Sequence, residues 1–313
     1  MAPTVHPVSP FDPSSDASNL RKAMKGMGTD EAAIINILTS RTSNQRQEIM
    51  AEYNKTYNRD LVKDLKKELH GKFEDVVVAL MTPLPTYLAE ELHHAMCGKG
   101  TNEKTLVEIL CTRDNASIRS LKDAYELHYN KKLEDVVKSE VSGDFEDFLM
   151  SLLACVRDEE AFDPALSPHL AEKLYKAGED RKGTDEEELR RILVSYSRQQ
   201  LKDVFSEYHK LAGKTLGESL DDELSGDLRD AMKAAYMCIQ NPALFFAQEL
   251  HAAMAGFRTR NRALIRLVVS RCEIDMQEIK LQYQSLYSRP LEKDIKGDTS
   301  GDFRKILMAL VED

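Results

Sequence analysis

Three glycine-rich turns, each followed at a fixed interval by a carboxylate, are the places where this chain could do chemistry. Gly28 precedes Glu68 by 40 residues, Gly100 precedes Glu140 by 40, and Gly183 precedes Glu223 by 40; a degraded fourth copy sets Arg258 before Asp298 at the same distance. The turns read Met24-Lys25-Gly26-Met27-Gly28-Thr29-Asp30-Glu31, Gly98-Lys99-Gly100-Thr101-Asn102-Glu103 and Lys182-Gly183-Thr184-Asp185-Glu186, with Gly256-Phe257-Arg258-Thr259-Arg260-Asn261 as the fourth. Glycine tolerates positive φ, so successive carbonyls of such a turn can face one point. A carboxylate at the end of a helix meets the negative end of the dipole, which is unfavourable unless a cation compensates. Three carbonyls and one bidentate carboxylate give five hard oxygens, which suits Ca2+ with one to three positions left open; Mg2+ suits less, because one flexible turn does not impose a small octahedron. One carboxylate per site is a low ligand charge, which places the affinity for free calcium toward the roughly 10⁻⁴–10⁻³ M class. The open positions suit phosphate or headgroup oxygens, so calcium and lipid would raise each other's affinity, and several sites would multiply the effect. A single Gly-x-Gly-Thr turn could equally be a helix C-cap followed by an N-cap, with the acid solvated. Recurrence at fixed spacing to an acid favours the cation. No D-x-D-x-D-G loop closed by a glutamate is present, so these are not EF-hands.

The elements that must position these groups recur as well. Gly28 and Gly71, Gly100 and Gly143, Gly183 and Gly226, and Arg258 and Gly301 are all 43 residues apart. Arg41, Arg113 and Arg271 share one repeat position, which Tyr196 occupies in the third copy. Internal repetition at this period marks a repeat architecture. The first copy reads as five short helices. Asp12-Pro13 starts one, Thr29 can cap the second, Ser43 the third, Asp60 opens the fourth, and Phe73 to Leu80 form a fifth that ends at Pro83–Pro85. Strand signals are nearly absent, so the predicted fold is all-α. The boundaries are a tail over 1–12, then repeats over 13–84, 85–156, 157–241 (with a linker at its start) and 242–313. The linker, Arg157 through Pro168, is charged and contains two prolines, and it suggests two halves of two repeats each.

Composition narrows the partners. The 313 residues are 42% hydrophobic with a net charge of −10. That charge argues against nucleic acid, and against unaided attraction to an anionic bilayer; a bound cation reverses the second conclusion. No apolar run approaches a membrane span, and Met1 to Pro10 lacks the features of a signal peptide. Cys97, Cys111, Cys155, Cys238 and Cys272 are scattered, which fits buried thiols in a reducing compartment, and a cytoplasmic location is expected. No P-loop, nucleophile–base pair or cofactor fingerprint is evident, so an enzyme is not expected. The competing reading is a helical-repeat scaffold that binds protein partners independently of calcium, its turns being merely caps. His93 and His94 read as structural.

The K-G-x-G-T-D-E turns, the 40-residue step to an acid and the four repeats of about seventy residues resemble the annexin family, from about residue 12 to the end. The resemblance implies four five-helix repeats in a curved disc, with calcium loops on a convex face that docks on acidic phospholipid. It implies carbonyl ligands from Met24, Gly26 and Gly28 with Glu68; from Met96, Gly98 and Gly100 with Glu140; and, in a variant third loop, from Gly178, Arg181 and Gly183 with Glu223. Lesser sites would use Thr29 with Glu31 and Thr101 with Glu103. A fourth site at Met254, Gly256 and Asp298 departs from the pattern, because Arg258 replaces the second glycine and Arg260 and Asn261 replace the acidic pair. Arg258 or Arg260 is expected to pair with Asp298 in place of calcium. Lys25, Lys99, Lys182, Arg258 and Arg260 are expected lipid contacts; a solvated basic loop is the alternative for the last two. The family's polar channel would involve Glu91, Glu108, Arg113 and Arg266. The expected partners are an acidic membrane surface and, through the tail, a protein. A monomer in solution with lateral assembly on membranes is expected.

Overall fold

The computed structural model describes residues 2–26, 28–98, 100–180 and 183–312. Among them are twenty helices and no strand. Each repeat contributes five. The first contains α1 (Pro13–Ala23), α2 (Glu31–Thr39), α3 (Ser43–Tyr57), α4 (Leu61–Glu68) and α5 (Gly71–Met81). The second contains α6 (Leu84–Met96), α7 (Glu103–Leu110), α8 (Asn115–Tyr129), α9 (Leu133–Glu140) and α10 (Gly143–Leu153). The third contains α11 (Ser167–Ala177), α12 (Glu186–Ser195), α13 (Arg198–Ala212), α14 (Leu216–Glu223) and α15 (Gly226–Gln240). The fourth contains α16 (Pro242–Met254), α17 (Asn261–Arg271), α18 (Met276–Tyr287), α19 (Leu291–Asp298) and α20 (Gly301–Val311).

Side-chain caps mark about half of the helix starts. The Asp12 carboxylate accepts from the amides of Ser14 and Ser15, and Asp60 accepts from Lys63. Two expected caps are displaced by one residue. Thr42, not Ser43, caps α3, in a reciprocal capping box with Gln45. Asp30, not Thr29, caps α2 by accepting from the Ala33 amide, because the Thr29 hydroxyl is turned toward Glu68. Gly71, Gly143, Gly226 and Gly301 each open a fifth helix at φ between 59° and 66°. The expected helix breaks are therefore sharp re-entries, in a region that disfavours any side chain.

Two repeat positions emerge only from the structure. The third helix ends in the left-handed conformation at Asn58, Asn130, Gly213 and Ser288, each 30 residues after the second-glycine position. Tyr53, Tyr125, Tyr208 and Tyr283, each 25 residues after it, are almost completely buried. Buried tyrosine hydroxyls need partners. Those of Tyr53 and Tyr208 donate to Asp64 and Ser219, that of Tyr283 to Asp294, and that of Tyr125 lies 3.1 Å from His93 Nδ1.

The chain forms two compact units: Met1–Tyr87 with Phe246–Asp313, and Leu88–Phe245. The division expected at the charged linker is not where the units part, because the linker lies inside the second unit and is pinned there. Arg157 Nη1 and Nη2 donate to the carbonyls of Tyr196 and Leu193 at 2.7 and 2.8 Å. Asn115 Nδ2 reaches the Arg157 carbonyl, and the Asp158 amide reaches that of Ser195. Burial lowers the Arg157 pKa to about 10.

In the first unit α5 packs on α17 and α20, and α2 on α20. Arg46 is 2% exposed there. Its guanidinium donates to the carbonyls of Leu80, Leu38 and Arg41 and meets Glu273 at 2.5 Å. The same repeat position holds Ile118, Leu201 and Met276 in the other copies. The expected tail is built into this unit. The Thr4 and Val5 amides donate to the Cys272 carbonyl, the Ala2 amide to Glu278, and Val5 is 3% exposed. Of the cysteines, Cys111, Cys238 and Cys272 are buried as expected, but Cys97 is exposed and Cys155 half-buried.

Candidate cation-binding loops

The four loops close in the same way. The amide of the α2, α7, α12 or α17 cap residue donates back to the end of the preceding helix. These bonds are Asp30 to Ala23 (2.9 Å), Asn102 to Ala95 (2.8 Å), Asp185 to Ala177 (2.7 Å) and Arg260 to Ala253 (2.8 Å). Asp30, Asn102 and Asp185 also cap their helices with their side chains, while Arg260 makes no such bond.

The distant acid is the last residue of the fourth helix in every repeat: Glu68, Glu140, Glu223 and Asp298. It is tied to the loop by the threonine that follows the second-glycine position. Thr29 Oγ1 donates to Glu68 at 3.3 Å, Thr101 to Glu140 at 3.1 Å, Thr184 to Glu223 at 3.0 Å and Thr259 to Asp298 at 2.9 Å. The structure therefore brings together groups that are 39 residues apart in the chain. Sequence reasoning missed this hydroxyl bond and did not single out Thr184, although a threonine recurs at that position in all four copies.

The glycines meet the requirement for an open turn. Gly26 has φ 122°, and Gly28, Gly100 and Gly183 have φ between 84° and 94°. A Cβ at any of these four would meet nothing within 4 Å, so conformation rather than crowding demands glycine. Gly98 does not adopt positive φ, which sets the second loop apart from the first. In the third loop a Cβ on Gly178 would lie 3.5 Å from Glu223 Cγ, so that backbone borders the acid directly. Lys214 bridges Glu179 and Asp222, both at 2.7 Å, and holds this variant loop against α14. Arg181, Lys99 and Lys182 lie outside the described residues. Met24, Met96 and Met254 are buried at the ends of their helices, while Lys25, Glu31, Glu68 and Glu140 lie at or near the surface.

No group of three or more His, Cys, Asp or Glu side chains gathers as metal ligands among the described residues. A set of loop carbonyls with one carboxylate would fit a hard cation of variable coordination better than a transition metal.

The fourth loop is different. Arg258 is not among the positive-φ residues, so the turn taken at Gly28, Gly100 and Gly183 is absent there. The expected pairing of Arg258 or Arg260 with Asp298 does not form. Thr259 already occupies that carboxylate. Arg260 instead turns back along α16, its Nε donating to the Ala252 carbonyl at 3.3 Å.

The residues assigned to a channel are found in different units. Glu91 and Glu108 are buried in the second unit, where Arg113 is half-buried, and Arg266 is buried in the first. His93, expected to be structural, lies among Tyr125, Tyr129 and the Cys97 thiol. Its ring stacks on Tyr129 at 3.8 Å, and burial holds its pKa below the usual value. His251 stacks on Tyr287 at the same distance in the fourth repeat.

The fold and the loops define an all-α protein of four repeats, each with a loop tied through a threonine to an acid 39 residues further on. The Annexin family model matches residues 15–80, 87–152, 169–235 and 245–310. The chain belongs to the annexin family, known as calcium-dependent phospholipid-binding proteins. It is 46% identical to annexin A4 of Canis lupus familiaris, over 98% of this chain and 97% of that protein. It is also 46% identical to annexin A11 of Oryctolagus cuniculus, of whose length it spans 61%. Among solved structures, calcium-bound annexin (Sm)1 superposes with a TM-score of 0.92 at 35% identity, covering 100% of this chain and 93% of that one. Calcium is the cation bound in this family.

Proposed function

We propose that this chain binds anionic phospholipid surfaces in a calcium-dependent, non-catalytic way through the loops of its first three repeats. The observation that supports it best is the threonine bond joining each loop to its distant acid. It sets a carboxylate at a helix C-terminus, where a negative charge needs a counter-ion, beside a turn whose second glycine has positive φ. The holders would be the carbonyls of Met24, Gly26 and Gly28 with Glu68; of Met96, Gly98 and Gly100 with Glu140; and of Gly178, Arg181 and Gly183 with Glu223. Bound calcium would supply positive charge and open coordination positions to lipid phosphate. Thr29 with Glu31 and Thr101 with Glu103 are proposed as secondary positions, and Lys25, Lys99 and Lys182 as lipid contacts. The chain's own contribution is the glycine turn and an acid kept beside it by the threonine bond before the ion arrives. Without calcium the net charge of −10 works against approach to an acidic bilayer.

Co-sedimentation with phosphatidylserine vesicles tests the reading. The protein pellets with calcium, and most of it is released by chelator. The triple variant Glu68→Gln, Glu140→Gln, Glu223→Gln keeps its helical signal and loses most calcium-driven pelleting. Pelleting of wild type that calcium does not increase would overturn the proposal in favour of a calcium-independent scaffold.

A further inference from the structure

The fourth loop has lost the cation turn, yet it is the most exposed aromatic site of the described residues. Phe257 stands fully out in solvent, at 112% of its reference area. It is flanked by Arg258 and Arg260, both exposed. Arg258 makes no hydrogen bond or ion pair among the described residues, and Arg260 spends only one Nε–H on a backbone carbonyl. The loop's own acid, Asp298, accepts from Thr259 and forms no ion pair with either arginine among the described residues. This chain is acidic overall, so two guanidiniums with no ion-pair partner among the described residues, beside a solvated aromatic ring, form a local feature opposite to the surface average.

We propose that this loop is a calcium-independent anchor for anionic phospholipid, with Phe257 entering the interfacial layer and Arg258 and Arg260 pairing with lipid phosphates. The proposal rests on the membrane-binding reading above, and differs from it in needing no metal. An arginine at this position does two things at once. It disfavours the positive-φ turn that a cation site needs, and it supplies the positive charge that the cation would have brought. Guanidinium binds phosphate with a planar fork of donors, and an aromatic ring beside basic residues is the composition of interfacial membrane contacts. A bilayer interface accepts a single ring flanked by basic side chains without a shaped groove to match it. Each arginine is expected to contribute about fivefold in partition at an anionic surface.

The chain contains no tryptophan, so Phe257→Trp is a unique reporter at the loop tip. In chelator, its emission is expected to shift to the blue on addition of phosphatidylserine vesicles, and to be quenched by lipids brominated on the acyl chain. Phosphatidylcholine vesicles and inorganic phosphate are expected to leave it unchanged. In the Glu68→Gln, Glu140→Gln, Glu223→Gln background, adding Arg258→Glu and Arg260→Glu is expected to abolish the residual, salt-sensitive pelleting measured in chelator. An unchanged emission spectrum of the Phe257→Trp variant with phosphatidylserine in chelator would overturn the anchor. So would an equal shift on neutral vesicles, or a shift with phosphate alone. The calcium reading fails separately, when calcium adds no pelleting to wild type, so the two failures are distinguishable.

Discussion

At the scale of single residues, the loop chemistry depends on glycines whose side-chain space is empty but whose backbone is not ordinary. Gly28 at φ 94° is the clearest case. A β-branched residue there would be strained by about 1–3 kcal/mol, and the local turn would relax to remove the strain. Gly28→Val is therefore expected to weaken calcium binding at the first loop by tenfold or more while leaving the second and third loops intact. Calorimetric titration in the presence of soluble headgroup would show one site fewer, and unchanged stoichiometry would refute the role given to this turn. Arg258 is the natural counterpart: the fold tolerates a side chain at that position by giving up positive φ.

Among elements, the contact of α3 with α4 in the first repeat depends on ionisation. Asp64 is 5% exposed. It accepts from Arg59 Nε and Nη2 at 2.5 and 2.6 Å and from the Tyr53 hydroxyl at 2.9 Å. The Arg59 guanidinium, first among these partners, holds the Asp64 carboxyl below its ordinary value of 3.8. A depressed folded-state pKa means stability that is fully present above the unfolded-state value and lost as pH falls through the folded one. Asp64→Asn is accordingly expected to cost about 2 kcal/mol at neutral pH. The difference from wild type should shrink once pH drops below about 4, approaching zero near the folded value. Urea melts at pH 7, 4 and 3 would check this, and a pH-independent difference would contradict it. The helix caps belong to the same scale. Thr42→Ala removes a reciprocal capping box and is expected to cost about 1 kcal/mol, which a urea melt would resolve.

For the whole molecule, each unit is tied by a different arginine, Arg46 buried in the first and Arg157 half-buried in the second. Arg46 ties repeat one to Glu273 of repeat four, and Arg157 ties the linker to α12 and its end. The Arg46 guanidinium is buried while Glu273 is a quarter exposed, so losing Arg46 and its carbonyl bonds is expected to cost about 2–3 kcal/mol. Arg46→Ala is therefore expected to lower the melting temperature of the first unit ahead of the second and split the calorimetric transition; Arg157→Ala should weaken the second unit instead. A single unsplit transition at lower temperature in both variants would show that the units melt together. Calcium acts at this scale too. At about a hundred times its dissociation constant it stabilises each occupied site by about 2.7 kcal/mol, so scanning calorimetry should show a rise in melting temperature that the Glu68→Gln, Glu140→Gln, Glu223→Gln variant lacks.

Much of this was legible in the chain because covalent spacing is itself a measurement. Four copies with 40- and 43-residue intervals identify the repeats, and a carboxylate recurring at one interval from a glycine turn points to a shared site. Helix caps were readable to within a residue, since Asp, Thr and Ser compete locally for the same orphan amides. Other features depend on proximity that sequence separation hides. Thr29 looked like a helix cap until its hydroxyl was found against Glu68. Arg258 looked like a counter-ion for Asp298 until Thr259 was found there instead. The linker looked like a divider, yet its polar backbone is satisfied inside the second unit and the first unit joins the two ends of the chain. The sequence by itself determined the helices, the repeats and the loop–acid pairs, because those follow from local propensity and period. Only the tertiary structure decided which repeats share a core and which polar group claims each carboxylate, because packing and hydrogen bonding join residues that the chain keeps far apart.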